Sequence, residues 1–285
     1  MKIELKNVSY LYNKGLPTEV KALENVSLEI QTHEFIGLIG HTGSGKSTLV
    51  QLLNGLLIPT EGDVIIDGVN SKIKEKRRDL RFKVGLVFQY PENQLFEETI
   101  AKDVAFGPKN MGLSEDEIEK RVKESMEMVG LNYEKYKDKS PFELSGGQQR
   151  RVAVAGIISM RPKVLVLDEL TAGLDPRGRE EIFNHIINLY NNDPELSIVL
   201  VSHSMEDVAK YVKRVIVMDN SRVFSDMGTY DTFSKKDLES IGLDIPQITK
   251  FMKKYKKAGH DVRDDIYTVK DAKEELLKYF GGKNE

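Results

Sequence analysis

The glycine-rich run Gly40-His41-Thr42-Gly43-Ser44-Gly45-Lys46-Ser47-Thr48 follows the apolar stretch Phe35-Ile36-Gly37-Leu38-Ile39 and leads into a helical pattern over residues 47–57. Strand, glycine loop and helix in that order match the phosphate-binding pattern G-x-x-x-x-G-K-[ST] and commit the chain to an α/β core. The glycines let backbone N–H groups curl around phosphate oxygens, Lys46 reaches the β and γ oxygens, and Ser47 offers a hydroxyl to Mg²⁺. His41 reads as a spacer whose backbone matters more than its imidazole. A glycine turn with a chance lysine is the competing reading, and the flanking strand and helix count against it.

A second anion-gripping element lies about a hundred residues further on, Leu144-Ser145-Gly146-Gly147-Gln148. Two glycines behind a small hydroxyl residue, placed where a helix begins, expose free N–H groups at the positive helix end. Further on, Val164-Leu165-Val166-Leu167-Asp168-Glu169 ends a buried strand on two carboxylates. Asp168 suits Mg²⁺, through its water shell, and Glu169 is the candidate to polarise an attacking water. Gln89 follows the strand at residues 84–88 and is placed to touch both metal and water. His203 follows the strand at residues 198–201; a lone histidine there is commonly structural, and its place in the order of motifs reverses that reading. Tyr12 precedes a loop and offers a ring on which a base can stack, although packing is the commoner role for a tyrosine.

The pattern around these motifs reads as strands at residues 3–12, 28–30, 64–66 and 215–218, with residues from roughly 92 to 160 helical. Ile118, Val122, Met126 and Val129 recur at helical spacing, with Glu119 and Lys123 set for an i,i+4 pair and Met126 and Met128 expected to pack. Beyond about residue 222 the chain turns lysine-rich. Ile245, Ile248, Phe251, Met252 and Tyr255 mark one amphipathic helix there; Val269, Ala272, Leu276 and Phe280 mark another, capped by Thr268 with Asp271. Domains are therefore placed at residues 1–222 and 223–285. A net charge of -3 gives no global field for holding nucleic acid. The lack of cysteine removes disulfides and thiolate chemistry. No apolar run approaches the roughly 18 to 20 residues that span a bilayer. The cluster Lys72, Lys74, Lys76, Arg77, Arg78, Arg81 and Lys83 is interleaved with Glu75 and Asp79 and reads as a solvated face. Arg150 and Arg151 read as makers of structural or interface ion pairs.

The ordered set Tyr12, residues 40–48, Gln89, residues 144–148, Asp168-Glu169, Gly173-Leu174-Asp175 and His203 resembles the ATP-binding-cassette ATPases over roughly residues 1 to 222. The resemblance implies an α/β fold with a RecA-like core, a small antiparallel sheet and a helical signature subdomain, followed by a mainly helical C-terminal domain. By it Tyr12 is the adenine-stacking aromatic and Gln89 the Q-loop glutamine. Ser145, Gly146, Gly147 and Gln148 form the signature, Asp175 is the D-loop aspartate and His203 the switch histidine. ATP is the implied nucleotide, with Ser47, Gln89 and Asp168 on Mg²⁺ and with Glu169, His203 and Gln89 as catalytic groups. The signature of one subunit completes the site built on the phosphate loop of another, so the resemblance also implies a dimer.

A narrower resemblance rests on residues 87–99, which read Val-Phe-Gln-Tyr-Pro-Glu-Asn-Gln-Leu-Phe-Glu-Glu-Thr, and on Asp103-Val104-Ala105-Phe106-Gly107-Pro108. Both resemble the energy-coupling-factor importers of vitamins and transition-metal ions, and within them the second, A-prime type of ATPase subunit. The implied partners are a related ATPase subunit in a heterodimer, a transmembrane coupling protein and, through it, a substrate-binding membrane protein. A homodimer is open to the isolated chain, nucleic acid is not an expected partner, and the expected place is the cytoplasmic face of the membrane, with residues 94–99 docking. The C-terminal domain is expected to help dimerisation. Two other functions compete: a soluble cassette ATPase that remodels nucleic acid or ribosomes, and a non-hydrolysing nucleotide switch. Fused cassettes or an inserted coiled coil would mark the first and are absent from this sequence; intact Glu169 and His203 stand against the second. Leu170 takes the place where the family usually has proline, which frees the segment from Glu169 to Asp175 and adds an N–H donor.

Overall fold

The computed structural model describes residues 1–235 and 238–281. The chain opens with β1 (Ile3–Tyr12), β2 (Val20–Ile30), β3 (Phe35–Gly40), α1 (Lys46–Leu53), β4 (Glu61–Ile66), β5 (Val69–Asn70), α2 (Arg77–Lys83) and β6 (Val84–Val87). Next come α3 (Ile100–Asn110), α4 (Glu115–Met128), α5 (Tyr133–Tyr136), α6 (Gly146–Ile158), β7 (Val164–Asp168), α7 (Pro176–Asn192) and β8 (Ser197–Val201). It closes with α8 (Met205–Tyr211), β9 (Arg214–Asp219), β10 (Arg222–Gly228), α9 (Thr229–Lys235), α10 (Gln247–Lys257) and α11 (Val269–Gly281). Two compact units divide these elements: residues 1–34 with 47–199, and residues 35–46 with 200–285.

In the first unit β1 runs antiparallel to both β2 and β4, and β5 extends the sheet from β4. Ile3, Leu5 and Val8 are buried, and the register slips between Lys6 and Ser9 opposite β4. Gly62 sits at that slip with φ +73°; a Cβ there would come 2.2 Å from the Asn7 carbonyl oxygen, so the bulge admits only glycine. β6 and β7 pair in parallel, Val84 with Val164 through Val87 with Leu167, and their apolar runs are buried throughout that match. The helical stretch falls where periodicity predicts it. Thr99, Ser114 and Ser145 cap α3, α4 and α6 by accepting the N–H three residues on, and Ile118, Val122 and Met126 form the buried stripe of α4.

Two helical details depart from expectation. Met128 is 45% exposed, because it lies two positions past buried Met126 and so points to the far side of α4. Glu119 accepts the Tyr133 hydroxyl at 3.4 Å. The basic cluster of the first unit is a largely exposed face, as expected, with only Arg77 and Lys83 half-buried. Lys72 pairs with Asp63 and Lys83 with Asp67, while Arg77, Arg78 and Arg81 donate to backbone carbonyls.

In the second unit β3 pairs in parallel with β9, which pairs antiparallel with β10. All six residues of β3 are buried, and a Cβ on Gly37 would come 2.9 Å from Val208, so α8 lies directly on the strand. Met252, Val262, Ile266 and Ala272 form a small core, joined by Ile248, Tyr255, Leu276 and Tyr279. Thr268 caps α11, accepting the Asp271 N–H at 3.1 Å as expected. The apolar marks on these helices shift, however. Phe251, Val269 and Phe280 are exposed: Phe251 and Phe280 lie at the edges of the stripes Ile248-Met252-Tyr255 and Ala272-Leu276-Tyr279, and Val269 is the first residue of α11. Among the described residues no helix is long and apolar enough to cross a membrane.

Candidate nucleotide site

The phosphate loop, residues 40–46, belongs to the second unit and leaves the buried end of β3. Gly43 (φ +83°) and Gly45 (φ +103°) take left-handed backbone, and a Cβ on Gly40 would come 2.5 Å from both the Met218 carbonyl and Ser44 Oγ. Lys46 is 7% exposed and donates to the Gly40 and His41 carbonyls at 2.7 and 3.0 Å. The Ser44 hydroxyl is buried with no hydrogen-bond partner among the described residues. A buried ammonium, an unpartnered hydroxyl and glycine backbone converge on a site that fits phosphate oxygens. His41 is more than a spacer: its Nε2 lies 3.0 Å from Asp219 Oδ1 and its Nδ1 2.8 Å from the Thr42 carbonyl, so its ring ties the loop to the end of β9. His203 is also in this unit, exposed between the end of β8 and α8, whose N-terminus Ser204 caps by accepting the Asp207 N–H.

The first unit holds the other groups. Ser47 and Thr48 lie in the first turn of α1 there, and Tyr12 Oη lies 3.2 Å from Thr48 Oγ1, with its ring edge-to-face on Tyr10. Asp168 ends β7 and Glu169 follows with φ +50°, an uncommon backbone for glutamate. Register explains its partner. Val87 pairs with Leu167 across the parallel strands, so Gln89 and Glu169 each stand two residues beyond the pair, and Gln89 Nε2 donates to Glu169 Oε2 at 2.8 Å. The donors expected on Mg²⁺, a hydroxyl, an amide oxygen and one carboxylate, are the oxygen set that such an ion takes beside substrate phosphates. Leu170 is 1% exposed, so the side chain in the usual proline position anchors in the core. The segment is held: the Leu170 and Ala172 carbonyls each accept Arg150 Nη1 at 2.8 Å. Asp175 caps α7 by accepting the Gly178 N–H at 2.7 Å.

Ser145 and Gln148 form a capping box at the start of α6, each side chain accepting the other's backbone N–H. A Cβ on Gly146 or Gly147 would meet nothing within 4 Å among the described residues, so these positions are open. Ser145, Gly147, Gln148 and Arg151 line one cleft with Gly173, Asp175 and Arg177, which places the start of α6 and the start of α7 at the same opening.

Beside that cleft lies His185, which no sequence pattern marks. Its Nε2 would be 2.6 Å from a Cβ on Gly130. Burial and then the nearby Arg151 charge hold its imidazole below the ordinary histidine range, against the pull of Glu181. As pH falls through about 6.5 the unfolded chain therefore takes a proton that the folded chain refuses, and stability drops until the lower folded value is passed. Denaturant titrations between about pH 7 and 5 should show this loss, and it should be smaller in His185→Gln. An equal loss in both proteins would contradict the assignment.

A sequence model of the family described as ABC transporter matches residues 23–172. The chain is 55% identical over 285 residues to the energy-coupling factor transporter ATP-binding protein EcfA2 of Clostridium tetani, covering 99% of each. It is 50% identical over 284 residues to the protein of that name from Caldanaerobacter subterraneus, again covering 99% of each. Among solved structures it is similar to cbiO1 from Clostridium perfringens, described as part of the ABC transporter complex cbiONQ. That match has a TM-score of 0.74 and 36% identity, covering 88% of this chain and 98% of that one. The dimeric ATP-binding cassette MJ0796 bound to ADP and phosphate matches with a TM-score of 0.69 and 31% identity, over 80% of this chain and 98% of that one.

Proposed function

Because this chain belongs to the ABC transporter family, we propose that it is the ATP-hydrolysing subunit of an energy-coupling-factor importer for vitamins or transition-metal ions. The observation that carries the catalytic reading is the bond from Gln89 to Glu169, made where two buried parallel strands end in register. Lys46 and the loop N–H groups grip the β and γ phosphates, and Tyr12 supports the adenine. Glu169 accepts the proton of the attacking water, which Gln89 and His203 orient. Ser47, Gln89 and Asp168 would hold Mg²⁺, which would neutralise charge on the transferring phosphoryl group.

Ser145, Gly146, Gly147, Gln148 and Asp175 serve an ATP held by the phosphate loop of a related second subunit, so ATP bridges a heterodimer and its differential affinity drives closure. Residues 223–285 assist that dimerisation, and the isolated chain can pair with itself. Binding of ATP tests the reading. Lys46→Ala removes charge-assisted bonds worth roughly 1.5–3 kcal/mol, a loss of about ten- to a hundredfold in affinity. Full affinity in that variant would contradict the role of the loop.

The membrane partner docks beside the Gln89 turn. Phe96 and Phe106 are 58% and 48% exposed and meet edge-to-face at 5.0 Å, lining an apolar groove with Phe82, Leu95, Ile157 and Met160. A helical segment of a transmembrane coupling protein suits that groove, which would keep this chain peripheral at the cytoplasmic face, with the substrate-binding membrane protein reached through the coupling protein. Phe96→Ser with Phe106→Ser should abolish co-purification with membrane partners while ATP affinity stays within about twofold of wild type. Unchanged co-purification would move the docking site elsewhere.

A further inference from the structure

Arg150 is only 3% exposed, and its guanidinium makes four hydrogen bonds to two separate stretches of chain. Nε and Nη2 form a fork on the Glu92 carboxylate at 3.0 and 2.6 Å, while Nη1 reaches the Leu170 and Ala172 carbonyls at 2.8 Å each. Glu92 stands three residues past Gln89; Leu170 directly follows Glu169; Arg150 itself lies on the signature helix α6. Both ends of the Gln89 to Glu169 contact therefore lead, within three residues of chain, to one side chain.

The surroundings reinforce the convergence. Arg150 Cζ lies 5.9 Å from the centre of the Tyr90 ring, and Tyr90, at φ +52°, approaches the Cβ position of Gly173 to 3.8 Å. Burial pushes the Glu92 carboxyl up, yet the Arg150 hydrogen bonds and charge outweigh it and leave Glu92 below the usual carboxylate range. The pair thus stays ionised while enclosed, a state that needs close geometry and satisfied donors. Glu169 occupies strained backbone, and such a conformation persists only when its surroundings over-determine it. The two carbonyl bonds just after Glu169 do that.

We propose that Arg150 is a positioning residue for ATP hydrolysis, holding the turn after Gln89 and the segment after Glu169 at fixed spacing so that a shift of either reaches the other. The inference rests on the reading of Glu169 as the base. It also gives the Leu170 segment its rigidity by hydrogen bonding, where a proline would act through φ.

The test compares wild type, Arg150→Lys, Glu92→Gln and the double variant in the ATPase pair assembled with its membrane partners. ATP affinity, KM, kcat and Tm are measured, with rates taken well below the lowest Tm. Lysine keeps the charge but cannot fork and reach two carbonyls together. Arg150→Lys should lower kcat by about ten- to a hundredfold while ATP affinity and KM stay within about twofold. Glu92→Gln should act in the same direction and more weakly, and the double variant should be no slower than Arg150→Lys, because both act through one contact. A purely structural arginine would lower Tm and leave kcat at the wild-type value, which would overturn the proposal. So would losses that multiply in the double variant. If the wild type binds and hydrolyses ATP and Arg150→Lys keeps pace, only the role of Arg150 fails. Failure of all four chains to bind ATP would overturn the functional reading, and this inference with it.

Discussion

Glu169→Gln should lower ATP turnover by about 10²–10⁴-fold and leave ATP binding intact. The amide oxygen can still accept from Gln89, which donates to Glu169 at 2.8 Å in the native chain, and glutamine has the same backbone tolerance for φ +50°. Only the proton acceptor is lost. ATP should then persist in the closed pair, since opening requires loss of the γ-phosphate contact, and the dimer should accumulate with Mg-ATP and fall apart with ADP. Light scattering with each nucleotide reads this directly. Turnover near the wild-type rate would remove Glu169 from the role of base.

Gly147→Val should be nearly as damaging, by a different route. The position faces open space within this chain, so the isolated protein should keep its fold and its own ATP affinity. On the proposed reading, N–H groups at the start of α6 would act when a partner's nucleotide comes against them. A branched side chain there would obstruct that approach, and loss of such oxyanion-type contacts costs at least about a hundredfold in rate. ATP-dependent pairing should vanish with it. Retained pairing at the wild-type ATP concentration would show that the signature serves no nucleotide across a dimer.

The phosphate loop, the capped signature helix and the strand ending in Asp168-Glu169 were legible from sequence because each is a local pattern. Glycine φ, capping chemistry and apolar periodicity operate over a few residues. What needed coordinates is non-local. The pairing of β6 with β7 that sets Gln89 against Glu169 joins residues 80 apart, and periodicity says nothing about register between strands. Arg150 reads in sequence as one of two adjacent arginines; only the fold shows that it is buried and that its partners are Glu92 and two carbonyls. His41 likewise shows its tie to Asp219, 178 residues away, only in three dimensions. Near the C-terminus the helices were legible and their faces were not. Phe251 and Phe280 suit a buried stripe by hydropathy, but each lies at the edge of the stripe that packs, about 40° of helix beyond its outermost member, Tyr255 or Leu276, and stays exposed.

In the proposed function, this chain turns ATP hydrolysis into import through membrane partners. That coupling is tested most directly by uptake into vesicles that carry the assembled complex, with Mg-ATP supplied on the side of this chain. Vitamin or metal-ion uptake should require hydrolysable ATP and stop in the Glu169→Gln complex. ATP hydrolysis at the same rate with and without the membrane partners, and no uptake, would contradict it.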